Sequence, residues 1–382
     1  MKKVGIITLY SNNNFGAALQ AYALQYSLKK NGFDCEDINY RRDMPTASRN
    51  NYIINILHRV RMLVFHPAFK YYRKEKKKIF DRFIKENISE SHLVYDKRSI
   101  KDSVDKYRLF ICGSDNIWNK NLLDTSFLLD FVPDSVGKIA YAPGMSTTSL
   151  TKEQAEIMIP LINRLDFLSC REKIGCELLK TYNISEPFHA MDPTLLLSSD
   201  IWEQMIKQTK VNISGDYIFS LVYGNSDAKC KFINEYGKYL KMDIVTIPYA
   251  TGFYNKYDCK LGTKRIYKAG PLEILSLIYN AKMIITDTFH ATVFSILFKK
   301  NFISLRRFTN TPSEQLDYRI DGLLEKLGIG KEHIIDSIND IDYNTLMPNE
   351  INYREIDVSL EKWRKESYDY LLNSVRSFEN KV

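Results

Sequence analysis

Apolar positions occur along the chain in two patterns: short continuous runs, and longer stretches with helical spacing. Residues 4–10 form a continuous β-rich run, which is typical of a strand buried on both faces. After the polar residues 11–14, apolar side chains at 19, 23, 24 and 28 follow a helical spacing that ends before Gly32. The start of the chain therefore predicts a strand, a polar loop and a helix, which is half of a βαβ unit.

The same alternation continues in both halves of the chain. Further strands are predicted at residues 107–112, 138–141, 166–169, 217–223, 243–248, 283–286 and 302–305, and helices include 273–281 and 291–299. Short apolar strands separated by helices are typical of parallel sheets, so we expect an α/β fold.

A break near the middle of the chain divides this pattern into two domains. Asp192 and Pro193, followed by a polar stretch to Gly215, predict a hinge, because an Asp-Pro pair interrupts regular structure. We expect an N-terminal domain at 1–200 and a C-terminal domain at 215–345. Two such domains facing each other place ligands at the carboxyl ends of their strands.

The last segment, residues 355–380, is predicted to be an amphipathic helix. One helical stripe carries Leu360, Trp363, Ser367, Leu371, Val375 and Phe378. A terminal helix with such a stripe must cover it, most simply by lying across one or both domains.

Composition excludes several classes of protein without choosing a function. Hydrophobic residues make up 45% of the chain, which argues against disorder, and the formal net charge of +8 suits anionic small molecules, phospholipid headgroups or nucleic acid. No apolar run approaches the roughly 20 residues of a membrane span, and the apolar start is too short for a signal peptide. We therefore expect a cytoplasmic protein. The six cysteines contain no CxxC pair, and no metal-ligand spacing is present, so we expect no metal.

One segment, residues 59–85, is strongly basic. It holds ten Lys or Arg against Glu75 and Asp81, interleaved with aromatic and aliphatic residues. Such a segment could rest on the inner face of an anionic membrane, which would make the protein peripheral. A solvated helix face is the alternative. Nucleic-acid binding would look similar, but no other part of the chain favours it, and we expect none.

Two polar loops follow predicted strands. In the first, Gly16 at the start of a helix would let backbone N–H groups approach an anion or a sugar, and Asn14 would offer donors and acceptors; the alternative is a turn with an Asn N-cap. Neither a GxGxxG motif nor a P-loop occurs. In the second loop, Ser114, Asp115 and Asn116 precede Trp118 and suit recognition of a polyol. The alternative is an Asx turn with the Trp in the core.

Two further motifs carry groups suited to catalysis. Arg171 follows a predicted strand, and its guanidinium could bind a carboxylate or phosphate through two hydrogen bonds; the alternative is a salt bridge with Glu172. Thr286, Asp287 and Thr288 end a buried strand, and His290 falls in the first turn of the next helix. A helix N-terminus favours negative charge, and histidine suits proton transfer near neutral pH. A structural histidine is the alternative.

Five motifs together resemble the polysaccharide pyruvyl transferase family. In order, they are Asn14-Phe-Gly-Ala-Ala-Leu-Gln-Ala-Tyr-Ala23-Leu24, Gly113-Ser-Asp-Asn-Ile-Trp-Asn119, Ser169-Cys-Arg-Glu172, Met191-Asp-Pro-Thr-Leu195 and Thr286-Asp-Thr-Phe-His-Ala-Thr-Val-Phe294. The resemblance implies a GT-B-like fold of two Rossmann-like domains, the first on the acceptor side and the second on the donor side, with a C-terminal helix crossing back. It also implies transfer of the pyruvate group of phosphoenolpyruvate to two hydroxyls of a cell-surface polysaccharide or its lipid-linked precursor, forming a pyruvate ketal, with phosphoenolpyruvate as donor substrate and no cofactor.

The resemblance also implies roles for individual residues. His290 matches the essential histidine of the family and Arg171 its arginine, both on the donor side, and the loops at Asn14 and Asp115 would face the acceptor. The chain differs at Thr288 from several members of the family, which carry there the arginine of an Arg-x-His motif. Cations after the next strand could replace that arginine; these are Arg306, Arg307 and Arg319.

These implications combine into one hypothesis. His290 acts as acid, Arg171 with Arg306 or Arg307 binds the donor anion, the helix amides near Thr288 hold phosphate, and Asp115 or Asn14 orients and deprotonates the acceptor. Gly16, Ser114 and Asn116 complete the predicted substrate-binding set. Two alternatives remain open: a GT-B glycosyltransferase using a nucleotide sugar, and a non-catalytic glycan- or membrane-binding relative.

Overall fold

The computed structural model describes residues 2–11, 13–42, 67–307, 318–338, 341–344, 346 and 351–379. Within these ranges the chain forms two parallel sheets of six strands each, flanked by helices. The α/β prediction is confirmed.

The first sheet lies in the N-terminal half. Its strands are β1 (Lys3–Ile7), β2 (Cys35–Asp37), β3 (Tyr107–Cys112), β4 (Gly137–Ala140), β5 (Phe167–Cys170) and β6 (Phe188–His189), in the spatial order 2-1-3-4-5-6. Central strands such as β1 and β3 are buried on both faces because helices cover the sheet on each side, which explains their continuous apolar sequences.

The second sheet lies in the C-terminal half and is also a parallel sheet of six strands. Its strands are β7 (Tyr217–Leu221), β8 (Asp243–Thr246), β9 (Lys264–Arg265), β10 (Met283–Thr286), β11 (Asn301–Leu305) and β12 (Ile334–Ile335), in the order 12-11-10-7-8-9. The strand order reverses between β1 and β3 in the first sheet and between β7 and β10 in the second. A crevice opens at such a reversal, outside the carboxyl ends of the strands, and is where parallel α/β sheets bind ligands.

The described residues contain eleven α-helices. They are α1 (Phe15–Lys30), α2 (Pro67–Asn87), α3 (Lys152–Ile162), α4 (Lys173–Thr181), α5 (Pro193–Leu196), α6 (Ser199–Ile206), α7 (Asp227–Tyr239), α8 (Pro271–Asn280), α9 (Phe289–Leu297), α10 (Tyr318–Leu327) and α11 (Tyr353–Arg376). Among the helices in these described ranges, none has the length and apolar character needed to cross a bilayer. Residues 59–66 of the predicted basic segment lie outside the described residues.

The C-terminal helix α11 crosses from the second domain to the first. Near its start, the Tyr353 hydroxyl donates to the Lys300 carbonyl (2.6 Å). Further along, the Trp363 indole donates to the His189 carbonyl (3.0 Å), and Tyr370 stacks on Phe188. All six residues of the predicted stripe are buried, so both the amphipathic pattern and the crossing are confirmed.

Several predicted strands are shorter in the structure. Strand β7 ends at Leu221 instead of 223 because the amide of Tyr223 leaves the sheet and donates to the Asp287 carboxylate (2.7 Å). Strand β1 ends at Ile7 because the next residue, Thr8, turns its hydroxyl to the Ser114 carbonyl (3.1 Å). Both changes occur where the chain enters the loops that carry the candidate motifs.

Candidate functional site

The loops after β1, β3, β5 and β10 meet where the carboxyl ends of the two sheets face each other. Gly16 follows β1 and touches His290, which follows β10. Asp115 follows β3, and its carboxylate lies 3.6 Å from the guanidinium of Arg171, which follows β5. The structure therefore brings four predicted motifs, from both halves of the chain, to one place.

The loop after β1 allows α1 of the first domain to approach His290 of the second domain closely. Asn14 is the N-cap of α1, and its Oδ1 accepts hydrogen bonds from the amides of Gly16 (3.1 Å) and Ala17 (3.4 Å). A Cβ built on Gly16 would overlap the imidazole ring of His290. The glycine is needed for contact with the histidine, and the capping alternative for Asn14 is confirmed.

Ser114 shapes the second loop from the inside. Its amide donates to Gln20 Oε1 (3.0 Å), its hydroxyl donates to the Ala142 carbonyl (2.7 Å), and its carbonyl accepts from Thr8. The side chain is fully buried. Ser114 thus fixes the loop between the first strands, and its predicted contact with substrate stays a prediction.

The next residues of this loop differ in what they face. Asp115 has a left-handed backbone (φ 62°), which turns its carboxylate toward Arg171. Asn116 Oδ1 is buried and has no hydrogen-bond partner among the described residues. Trp118 is fully buried, with its indole donating to the Phe127 carbonyl (2.9 Å), so the alternative of a core anchor is confirmed.

Arg171 is buried among three carboxylates. Its guanidinium lies 3.1 Å from Asp192, 3.3 Å from Glu172 and 3.6 Å from Asp115. Burial alone would lower the pKa of Arg171, but Glu172, Asp192 and Asp115 together raise the pKa above its ordinary value. One face of the guanidinium also covers the Phe289 ring, 4.9 Å from its centroid. The alternative of a salt bridge between Arg171 and Glu172 is therefore confirmed, and two further carboxylates, Asp192 and Asp115, share the guanidinium.

Asp192 is the residue that joins the two halves of the site. As N-cap of α5, its Oδ1 accepts from the Thr194 amide (3.0 Å) and hydroxyl (2.7 Å). Its Oδ2 lies 3.1 Å from Arg171 Nη1 and 3.5 Å from His290 Nε2. Burial alone would raise the pKa of Asp192, but His290, Arg171 and Thr194 hold the pKa well below its usual range. From sequence, Asp192 is predicted to lie in a hinge and belongs to one of the five motifs, but no local pattern predicts its contacts with Arg171 and His290.

Thr288 and Asp287 fix the loop before His290. Thr288 is the N-cap of α9, and its hydroxyl accepts from the Ala291 amide (3.2 Å). The buried carboxylate of Asp287 accepts from the amides of Tyr223 and Gly224, both at 2.7 Å. Thr288 therefore sets the start of the helix whose first turn holds His290, as predicted, and Asp287 ties that turn to the loop after β7.

The candidate replacement arginines lie in different places. Arg306 bonds Asp321 (2.8 Å) and Asp336 (2.7 Å), on the side of β11 toward β12 and α10. Arg307 donates to the Asp287 carbonyl (2.8 Å), and Arg319 lies 5.6 Å from the centroid of the Phe289 ring that Arg171 also covers.

The electrostatic surroundings of Arg319 are unusual for a cation. Burial, together with the charges of Arg171 and Arg307, lowers the pKa of Arg319 to about 10. A bound anion would offset this excess of positive charge. Arg319 and Arg307 therefore border the site at His290, whereas Arg306 is engaged elsewhere.

We expect Gly16→Ala to disrupt the site, because the new methyl group would displace the His290 ring or the start of α1. An overpacked buried position typically costs about 1–3 kcal/mol of unfolding free energy. Gly175→Ala is the matched control, because a Cβ there meets its nearest neighbour at an ordinary 3.5 Å. Urea denaturation of both variants checks this, and equal stability of the two would contradict the close contact.

The chain is similar in sequence to a known protein family and in fold to solved structures. A sequence model of the family described as polysaccharide pyruvyl transferase matches residues 14–307. A Listeria monocytogenes structure assigned as a UDP-N-acetylglucosamine 2-epimerase matches with a TM-score of 0.56 at 10% identity, covering 100% of this chain and 97% of that one. The UDP-GlcNAc 2-epimerase of Methanocaldococcus jannaschii matches with a TM-score of 0.52 at 12% identity, covering 95% and 100%.

At such low identity these two structures show the fold alone, and they confirm the GT-B-like prediction. No curated protein sequence matches the chain significantly. The family match is different in kind, because it covers most of the chain and includes all five motifs. The chain belongs to the polysaccharide pyruvyl transferase family.

Proposed function

We propose that the protein transfers the pyruvate group of phosphoenolpyruvate to two hydroxyls of a sugar in a cell-surface polysaccharide or its precursor. One observation carries this proposal beyond family membership. Asp192 Oδ2 lies 3.1 Å from Arg171 of the first domain and 3.5 Å from His290 of the second, which supports a single site built by both domains.

The reaction needs an acid, cations and a group that orients hydroxyls. Protonation of C3 of phosphoenolpyruvate leaves C2 electron-poor, and a sugar hydroxyl attacks C2 while losing its proton. The bond from C2 to the phosphate oxygen then breaks, and phosphate leaves with the electron pair. A second hydroxyl attacks C2 and loses its proton, so one proton ends on the new methyl group and the other on phosphate.

On the donor side, His290 supplies the proton to C3. Arg319 pairs with the carboxylate or phosphate, because the charges of Arg171 and Arg307 already disfavour its own charge and a bound anion would offset them. Arg307, 3.7 Å from the Asp287 carboxylate, is the second cation on this side. Arg171 positions this group through the shared Phe289 ring and Asp192. The first-turn amides of α9 face the phosphate, as helix N-termini commonly do.

On the acceptor side, the loop after β3 supplies the polar groups. Asp115 lies 3.6 Å from Arg171 at the carboxyl end of β3, and in this proposal its carboxylate accepts a hydroxyl proton. The buried Asn116 Oδ1 is an acceptor for a hydrogen bond from a second hydroxyl. Asn14 acts indirectly, since its side chain caps α1 and holds Gly16 against His290.

The donor requires more room than this arrangement holds. The cavity bordered by Arg171, Asp192, Phe289 and Arg319 is about 10 Å³, enough for about one water molecule. Phosphoenolpyruvate therefore fits in this cavity only if the side chains that border it move.

A direct assay tests the proposal. We expect phosphate release from phosphoenolpyruvate that depends on a sugar acceptor, together with acid-labile pyruvate on the recovered acceptor. We also expect phosphoenolpyruvate to raise the melting temperature of the protein. Stabilisation by nucleotide sugars, with none by phosphoenolpyruvate, would favour the glycosyltransferase alternative instead.

A further inference from the structure

Helix α2 uses its apolar face inside the protein. Phe69 packs edge-on against Tyr249, with ring centroids 4.9 Å apart, and Tyr72 stacks on Tyr267 at 4.3 Å. Lys76 is buried with them, and its ammonium donates to the Tyr249 carbonyl (3.3 Å). Because this face covers the second domain, it is not available to insert into a bilayer.

The opposite face of α2 is exposed and basic. Its exposed cations are Lys70, Arg73, Lys74, Lys77, Lys78, Arg82 and Lys85. They outnumber the carboxylates of the same helix, which are Glu75, Asp81 and Glu86. The charge on this face is therefore clearly positive, even though Lys77 and Lys78 pair with Asp81 and Glu75.

Exposed aromatic rings adjoin these cations. Phe253 is 74% exposed on the loop between β8 and β9, and the next residue, Tyr254, packs edge-on against Phe69 of α2. Tyr71 is 51% exposed, and its hydroxyl accepts a hydrogen bond from Lys268 (3.0 Å). Aromatic side chains beside clustered cations are characteristic of surfaces that lie at a membrane interface.

This surface is continuous with the candidate site. The loop that carries Phe253 follows the carboxyl end of β8, the same edge of the second sheet that holds His290. Within it, Asp258 accepts from the Asn225 side chain (2.7 Å), and the neighbouring Gly224 donates to Asp287 before α9. The basic helix and the cleft therefore lie on one side of the molecule.

We propose that the exposed face of α2 and the loop around Phe253, together called the basic face, bind an anionic phospholipid bilayer. The cations attract the lipid headgroups, and Phe253 inserts at the level of those headgroups. This docking turns the cleft toward the membrane, and it does not depend on which reaction the cleft performs.

Vesicle flotation tests the basic face. We expect the protein to float with vesicles of phosphatidylglycerol and phosphatidylcholine, to remain behind with phosphatidylcholine alone, and to dissociate at high salt. The triple variant Lys70→Glu, Arg73→Glu, Lys74→Glu should reduce partitioning by about 100-fold or more, since each cation near an anionic surface contributes about a five-fold factor.

A matched triple variant tests whether vesicle binding depends on the basic face or only on the net charge of the protein. Lys207→Glu, Lys210→Glu, Lys238→Glu changes the charge equally at exposed positions of the second half of the chain, and we expect much smaller loss of binding. Equal loss in both triples, or equal binding to both kinds of vesicle, would overturn the proposal. Duplex DNA bound at the same salt as tightly as the vesicles would overturn it in favour of nucleic acid.

A single substitution tests insertion without removing charge. Phe253→Trp should show a blue-shifted emission on phosphatidylglycerol vesicles, because the new indole moves into a less polar environment. Phe253→Ser should reduce partitioning by about 10-fold, the value of burying one aromatic side chain. An unshifted emission from bound Phe253→Trp protein would contradict the placement of this loop at the bilayer.

Discussion

Replacing His290 by alanine is expected to reduce pyruvyl transfer from phosphoenolpyruvate by about 10²–10⁴-fold, the usual contribution of a positioned general acid. The loss should fall on kcat, because the proton is needed at C3 in the transition state and the donor cations remain. The measurement is acceptor-dependent phosphate release at saturating donor, with the wild-type protein as reference.

The control must separate chemistry from folding, since His290 is buried between Gly16 and Asp192. His92→Ala removes an exposed histidine and should leave turnover unchanged. Added imidazole should restore part of the activity of His290→Ala, which a purely structural role would not allow. Turnover of His290→Ala within two-fold of the wild-type rate would remove the acid assignment.

Much of the fold follows from local sequence, and the reason is burial. Strands β3 and β10 have the bounds that their continuous apolar runs predict, because both faces of each strand are covered. The edge strands β6, β9 and β12 have two residues each, too few to show any periodicity. The loops that carry the motifs also follow buried strands, although β1 ends at Ile7, three residues earlier than predicted.

The site itself was predicted less completely because its contacts join distant segments. The sequence shows Glu172 beside Arg171, but the other two carboxylates on that guanidinium come from 56 residues upstream and 21 residues downstream of it, at Asp115 and Asp192. The contact between Gly16 and His290 depends on how the two domains face each other. No local pattern specifies that arrangement, although the motif order had indicated which loops take part.

Thr288 illustrates how a departure from a family pattern can be explained in three dimensions. Its hydroxyl caps α9, a role for which threonine is well suited and arginine is not. In the proposed donor site the cation is instead Arg319, which lies near the same Phe289 ring as Arg171. Sequence alone offered three candidate arginines, and only the fold separates Arg306, which binds Asp321 and Asp336, from the other two.

Asp192→Asn is expected to destabilise the protein by about 3–5 kcal/mol at pH 7, the usual cost of removing one partner from a buried ion pair. The Asp192 carboxylate lies between Arg171 and His290. In the variant, the buried guanidinium of Arg171 has one negative charge fewer beside it, and the imidazole of His290 no longer faces a carboxylate. Pyruvyl transfer should fall as well. Asp192 acts as a positioning residue, and a shift in the pH profile of kcat should accompany the loss, because its charge faces the proposed acid.

The pH dependence of stability tests the same link from another direction. The folded-state pKa of Asp192 is depressed, so its stabilisation is complete above the unfolded-state pKa of about 3.9 and is lost as pH falls toward the folded-state value. The difference in unfolding free energy between wild type and Asp192→Asn should therefore narrow as the pH falls below about 4. Asp369→Asn, at an exposed position of α11, should differ from wild type by less than about 0.5 kcal/mol throughout. A difference that stays constant down to the acid unfolding transition would show that the Asp192 carboxylate is not held charged between the two domains.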